Sequence, residues 1–187
     1  MLKKMRGFTL IELLIVVAII GILAALLIPN ALEAIQKAKQ KSAMKEIQVI
    51  CTACVDYITD HGSWLNVIQD GDLTSPSSFT TAIATFYVKV LPVNDPWNFP
   101  YKAYCGKTAV DGYITGGTAD TGDDDVAVAS WGRDGTEGPI YMASIYSTTT
   151  PEAGRYNVSR MSDFNYDLVS WNGSWIVGPK LALATGS

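Results

Sequence analysis

The chain has 187 residues, 48% of them hydrophobic and 17% charged, with a formal net charge of -4. That length fits one ordinary domain with an appendage, and the composition excludes a chain disordered throughout. The acidic balance argues against nonspecific nucleic-acid binding, which needs Lys and Arg to neutralise phosphates, so no nucleic-acid partner is expected.

The apolar residues are concentrated at the start. Lys3, Lys4 and Arg6 come first with no acid among them, and from Leu13 to Ile28 there is no polar side chain. A cleaved secretory signal does not fit this stretch, because its apolar part is too long and no small-x-small site follows. A plain anchor does not explain Glu12, since an ionised carboxylate inside an apolar helix is costly and is a functional candidate by default. No cation lies within the apolar run. The nearest one available is a new α-amino group, created if the chain is cut before Phe8.

Beyond the apolar run stands Pro29, which removes a helix hydrogen bond. The residues read as a mild kink, which membrane helices tolerate, and Gly21 also weakens the helix locally. From Asn30 the pattern turns amphipathic, with Met44, Ile47, Cys51, Cys54 and Ile58 at spacings of three and four. The spacing predicts one helix from Phe8 to about Asp60, roughly 80 Å long at 1.5 Å per residue, with Gly62 as its stop. Lys37, Lys39, Lys41 and Lys45 form a basic run, read as a solvated face or as contacts to acids on a neighbouring copy. His61, the single histidine, is read as a favourable last-turn residue.

After Gly62 the chain changes character. Residues 63–78 read as loop, with Asp70-Gly71-Asp72 as a turn signal. Phe79–Leu91 reads as either a short helix or a strand. Strands are predicted at Tyr101–Tyr104, Tyr113–Thr115, Val126–Trp131, Leu168–Trp171 and Trp175–Val177, with turns at glycines such as Gly106, Gly112 and Gly116-Gly117 between them. Asn172-Gly173 between the last two is a hairpin signal. The fold class is α+β: a long N-terminal helix whose second half is covered by a small antiparallel sheet.

Three cysteines, Cys51, Cys54 and Cys105, leave two readings open. They are small core residues, or one helix thiol bridges to Cys105 with the pairing undetermined. Cys54 is followed by Val55, so haem attachment is not supported. Asp120 and Asp123–Asp125 do not fit an EF-hand and read as a solvated turn. Trp97, Trp131, Trp171 and Trp175 read as sheet core, with a ligand-binding cluster as the alternative. No nucleophile-elbow, phosphate-loop or zinc-helix motif is present, so the chain is not expected to be an enzyme.

Lys3-Lys4-Met5-Arg6-Gly7-Phe8-Thr9-Leu10-Ile11-Glu12-Leu13-Leu14 resembles the processing motif of the type IV prepilin and pseudopilin family. The resemblance implies cleavage between Gly7 and Phe8 by a prepilin peptidase/methyltransferase and N-methylation of Phe8. It also implies that Glu12 of one subunit meets the Phe8 amine of a neighbour in a homo-oligomeric filament. Implied partners are an inner-membrane assembly platform and minor pilins. The implied location is a single-pass inner-membrane protein with a cytoplasmic N-terminus and periplasmic head, later a periplasmic or extracellular filament. The implied organisation is a leader at 1–7, a filament-core helix at 8–29, an amphipathic helix at 30–61 and a head at 62–187.

Two further motifs resemble the major type II secretion pseudopilin more than other members. Asp95-Pro96-Trp97-Asn98-Phe99-Pro100-Tyr101 is similar to its Asp-Pro-Trp-Gly-x-Pro-Tyr turn, with Asn98-Phe99 departing at the Gly. Asp124–Gly135 is similar to its strand and following Gly-x-Asp-Gly loop. That resemblance implies a calcium ion held by the Asp134 side chain and the Trp131 carbonyl, with Asp167 as a weaker match. The segment 138–162 interrupts the compact acidic loop of the family, and a simple Asp-Gly turn at Asp134 is the alternative. The expected function is a filament subunit of a type II secretion system, with a type IV pilus pilin for adhesion, twitching or DNA uptake as the alternative.

Overall fold

The computed structural model describes residues 8–64, 69–84, 86–115, 122–138 and 153–180. The expectations at Gly7, Gly116-Gly117, Asp120 and the middle of the 138–162 segment lie outside the described residues.

Helix α1 runs Leu10–His61, and its assignment continues through Pro29. The chain divides into two compact units between Lys37 and Ala38. In the first unit the apolar side chains are uncovered, with Leu10 81% and Leu26 69% exposed. This is the one helix among the described residues that is long and apolar enough to cross a membrane. A surface of this kind is not left in water, because every uncovered apolar Å² costs about 25 cal/mol.

In the second unit α1 buries Gln40, Ala43, Ile47, Ile50, Cys51, Ala53, Cys54 and Tyr57, one stripe at helical spacing. Met44 and Ile58 flank it, half-buried. The helix ends at Gly62, whose φ of 81° and N–H to the Ile58 carbonyl at 2.7 Å close the last turn. His61 stacks on Tyr57 with ring centroids 4.2 Å apart.

Among the described residues, two short helices, α2 at Ser78–Ile83 and α3 at Lys107–Thr115, accompany six strands: β1 Asp70–Asp72, β2 Lys102–Cys105, β3 Val126–Ser130, β4 Arg155–Tyr156, β5 Leu168–Trp171 and β6 Ser174–Pro179. The sheet order is β1-β2-β3-β5-β6-β4. All neighbours are antiparallel except β4 and β6, which pair in parallel. The sheet is therefore mixed at one edge.

Alternation along the strands gives the sheet two covered faces. Ala103, Cys105, Val126, Val128 and Leu168 join the core made with α1 and α2. Ala127, Ala129, Val169 and Val177 join a second core with Val110 and Ile114 of α3 and with Tyr156. Burial on both faces is why β3 is apolar from Val126 to Ala129.

Two local expectations are corrected. Asp70-Gly71-Asp72 is an edge strand paired with β2, not a turn. Tyr113–Thr115 is the end of α3, not a strand; Val110 and Ile114 at i and i+4 bury together on one helical face. The Asn172-Gly173 hairpin forms as expected, with positive φ at both residues. α2 starts with a capping box in which Ser77 and Thr80 each accept from the other's backbone N–H.

Candidate functional site

The N-terminal site begins with Phe8, 75% exposed. The Glu12 carboxylate accepts from the Thr9 backbone N–H at 2.9 Å and from the Thr9 hydroxyl at 2.6 Å. The Glu12 N–H points back to the Thr9 hydroxyl at 3.4 Å. This is a capping box, with Thr9 ahead of the helix and Glu12 at its third position. Thr9 was not singled out in the sequence, although Thr-x-x-Glu before an apolar run is a readable signal. The pairing uses one carboxylate oxygen, Oε2, and leaves the other for a further donor.

The two stretches that resemble the pseudopilin meet each other. Asp95 Oδ1 accepts from the N–H groups of Trp97 and Phe99 at 3.0 and 2.9 Å, and Oδ2 accepts from the Ser130 hydroxyl at 2.7 Å. Burial pushes the Asp95 carboxyl up, against these hydrogen bonds. Asn98 takes φ 75°, the left-handed region that glycine favours and asparagine tolerates. An asparagine is therefore compatible with the turn at this position.

Gly132 and Gly135 explain the Gly-x-Asp-Gly loop. Gly132 has φ 67°, and a Cβ there would lie 2.8 Å from the carbonyl oxygens of Phe164 and Tyr166. Gly135 has φ 65°, and its Cβ would meet the Phe99 ring at 2.5 Å. The loop is seated against the 95–101 turn on one side and the 3-10 turn at Met161–Asn165 on the other.

Next to it lies an acidic corner. Asp167 is buried, and both of its oxygens accept from the Gly138 N–H, at 3.1 and 3.0 Å. Burial pushes its carboxyl up to about 7 despite that hydrogen bond, and the nearby Glu137 and Asp134 carboxylates add to the rise. The Gly138 N–H thus ties Asp167 to the end of the segment that carries Asp134 and Glu137, the latter at the start of a segment with no motif. Asp134 Oδ1 accepts from the Thr136 N–H at 3.2 Å, an Asx-type turn. Trp131 lies under the Lys102 ammonium, 3.8 Å from its ring centroid, and Lys102 is ion-paired with Asp72. A mix of carboxylates and backbone oxygens suits a hard cation. Among the described residues no three acidic, His or Cys side chains converge closely enough to hold a metal.

Cys51, Cys54 and Cys105 are all buried free thiols in the core beneath α1. Trp97 and Trp175 pack against that same core, and Trp171 packs against the second. Lys37 is ion-paired with Glu33 at 2.6 Å along the helix surface.

Comparison with known families matches residues 2–28 to the prokaryotic N-terminal methylation motif. The chain is 31% identical over 138 residues to the type II secretion system core protein G of Dickeya chrysanthemi, covering 69% of this chain and 88% of that protein. It is 33% identical over 144 residues to core protein G of Vibrio cholerae, covering 73% and 88%. A shorter match, 49% over 55 residues, relates 29% of the chain to 25% of the type IV major pilin protein PilA of Myxococcus xanthus. No solved structure matches. With its methylation motif, its long helix under a small sheet and this similarity along most of its length, the chain belongs to the family of the type II secretion system core protein G.

Proposed function

We propose that the chain is a structural subunit of a helical pilus-like filament, a major pseudopilin of a type II protein secretion system. The observation that carries this is the similarity to core protein G along about nine-tenths of that protein's length. The pilin relative matches a much smaller share of the chain, so a surface pilus is the weaker reading. The uncovered apolar helix supports lateral packing with other copies, first in a membrane and then in a filament core. The methylation motif supports processing by a prepilin peptidase between Gly7 and Phe8, with methylation of the new Phe8 amine.

Glu12 then acts in register. Its cost in an apolar bundle is several kcal/mol unless a cation is close, and the Phe8 amine of a neighbouring copy is such a cation. Thr9 holds the carboxylate through one oxygen while the other is free for that contact. The membrane orientation that fits is a cytoplasmic N-terminus, set by Lys3, Lys4 and Arg6, with the remainder from Ala38 exported as the head. The work assigned here is assembly, with no catalytic step.

The acidic corner supports a narrower proposal: Asp134 and Asp167, with the Trp131 carbonyl, take part in holding calcium. The supporting observation is that Asp167 is buried, tied by the Gly138 N–H to the segment that carries Asp134, and raised in pKa by the charges of Glu137 and Asp134, an arrangement that a bound cation relieves.

Deleting the chain's gene in its own host tests the main reading. Loss of export of the secreted proteins with surface pili intact is expected. Intact secretion with loss of twitching or DNA uptake would move the chain to the pilins.

A further inference from the structure

We propose that the outward face of α1 between Lys41 and Asp60 docks the same face of a second copy of this chain, shifted along the helix axis so that lysines meet aspartates. The proposal rests on the reading above that copies pack side by side with their helices parallel. Lys41, Lys45, Val49, Thr52, Asp56 and Asp60 follow one another at spacings of three and four, which places them on one side of the helix. That side lies away from the buried stripe of Gln40 to Tyr57. Its polar members are exposed, and Val49 is 46% exposed. The ion pairs among the described residues are Lys37–Glu33, Lys102–Asp72 and Lys107–Asp111, which leaves Lys41, Lys45 and Asp56 without one there.

The charge order is one that an isolated helix does not favour. Lys41 and Lys45 are like charges at i and i+4, as are Asp56 and Asp60, and such pairs repel. Asp60 also stands in the last turn, where the helix dipole favours cations. The Tyr87 hydroxyl, donating to Asp60 at 2.9 Å, offsets part of that. A parallel, displaced second helix turns both repulsions into attractions. Lys45 and Asp56 stand about 17 Å apart along the axis and Lys41 and Asp60 about 29 Å, at 1.5 Å per residue. An axial shift between those values brings the cations of one copy beside the carboxylates of the next.

The contact is head-to-tail, since each copy offers its lysines to one neighbour and its aspartates to another. With an axial shift, such a contact propagates as an open helical array instead of closing into a dimer. Apolar side chains flank the acidic end. Val55 is 41% and Phe86 80% exposed, and Phe86 meets Tyr87 edge-on with ring centroids 4.8 Å apart. Covering them excludes water, which strengthens the charge pairs beside them. An anionic lipid surface would also attract Lys41 and Lys45, but it would repel Asp56 and Asp60 on the same face. A second copy satisfies both sets of charges.

The test is charge reversal in the full chain, read as filament yield from sheared cells. Lys41→Glu with Lys45→Glu, and separately Asp56→Lys with Asp60→Lys, should each lower the yield roughly fivefold or more, because like charges then face each other across the contact. The chain carrying all four changes should recover to within about twofold of wild type. Lys45→Glu, Asp56→Lys and their combination should repeat the pattern at smaller amplitude. Neither of those residues makes a hydrogen bond among the described residues, so the lost Tyr87 contact does not decide the result. Reversals that assemble like wild type, or a quadruple variant no better than the doubles, overturn the interface and leave the filament reading intact. Loss from the lysine reversals alone makes the partner an anionic lipid surface and likewise overturns it. A wild type that forms no filament overturns the filament reading and this interface with it.

Discussion

The Asp95 carboxylate accepts a hydrogen bond from the Ser130 hydroxyl at 2.7 Å, and that contact joins two stretches 35 residues apart in the chain. The Phe99 ring against Gly135 is a second seam between the same stretches. The two motifs occur together because each completes the other's fold. Asp95→Ala strands the Ser130 hydroxyl and the N–H groups of Trp97 and Phe99. Urea denaturation of the detergent-solubilised chain should show a loss of about 2–4 kcal/mol. Ser130→Ala removes one of the three donors to Asp95 and the weak 3.3 Å acceptor of the Gly132 N–H, and should cost about 1 kcal/mol. Equal losses for the two would contradict the shared role of Asp95.

Asn98 stands where the family turn has glycine, and its φ of 75° is the reason it can. Asn98→Gly should leave stability within about 0.5 kcal/mol of wild type. Asn98→Val, β-branched and poorly suited to that region, should cost about 1–2 kcal/mol in the same measurement. A valine variant as stable as wild type would mean the turn relaxes to another shape.

Asp167 predicts a pH dependence. Its carboxyl is raised from 3.8 to about 7, so between those values the folded chain holds a proton that the unfolded chain has released. Stability from this group is full below about pH 4 and is lost as pH rises through 7, with a slope of at most about 1.4 kcal/mol per pH unit. Asp167→Asn should remove that slope and raise the melting temperature at pH 7.5. Calcium at the same pH should raise the melting temperature of the wild type and leave Asp167→Asn unchanged. An equal response from both proteins would remove Asp167 from the ligand set.

Glu12 has two roles that one substitution separates. Glu12→Gln still presents an oxygen to the Thr9 N–H, so the capping bond is kept, while the charge is gone. Filament yield from sheared cells should fall at least tenfold, as for Glu12→Leu, because an amide does not neutralise the Phe8 amine of a neighbour. Normal yield from Glu12→Gln would reduce the residue to a helix cap.

Much of this fold was legible because its strongest signals are local. The unbroken apolar run, the spacing from Met44 to Ile58 and the Asn172-Gly173 turn each specify their element without tertiary help. β1 was not legible, since Asp70-Gly71-Asp72 owes its extended form to backbone pairing with β2 and its polar side chains read as a turn. α3 was misread because Gly112 splits a stretch whose helical face shows only once Val110 and Ile114 are seen buried together. At the sites, Glu12 stood out through its cost, whereas Thr9 is polar at a helix start and draws no notice by itself. Glu137 and Gly138 enter only through their closeness to Asp167, 29 or more residues away.

The most direct test of the central claim is the mass of the N-terminal peptide from filaments sheared off cells that carry the chain's own secretion apparatus. A filament fraction containing this chain, beginning at Phe8 and heavier by one methyl group on its amine, is predicted. Filaments whose subunits still begin at Met1, or a filament fraction from which the chain is missing, would contradict it.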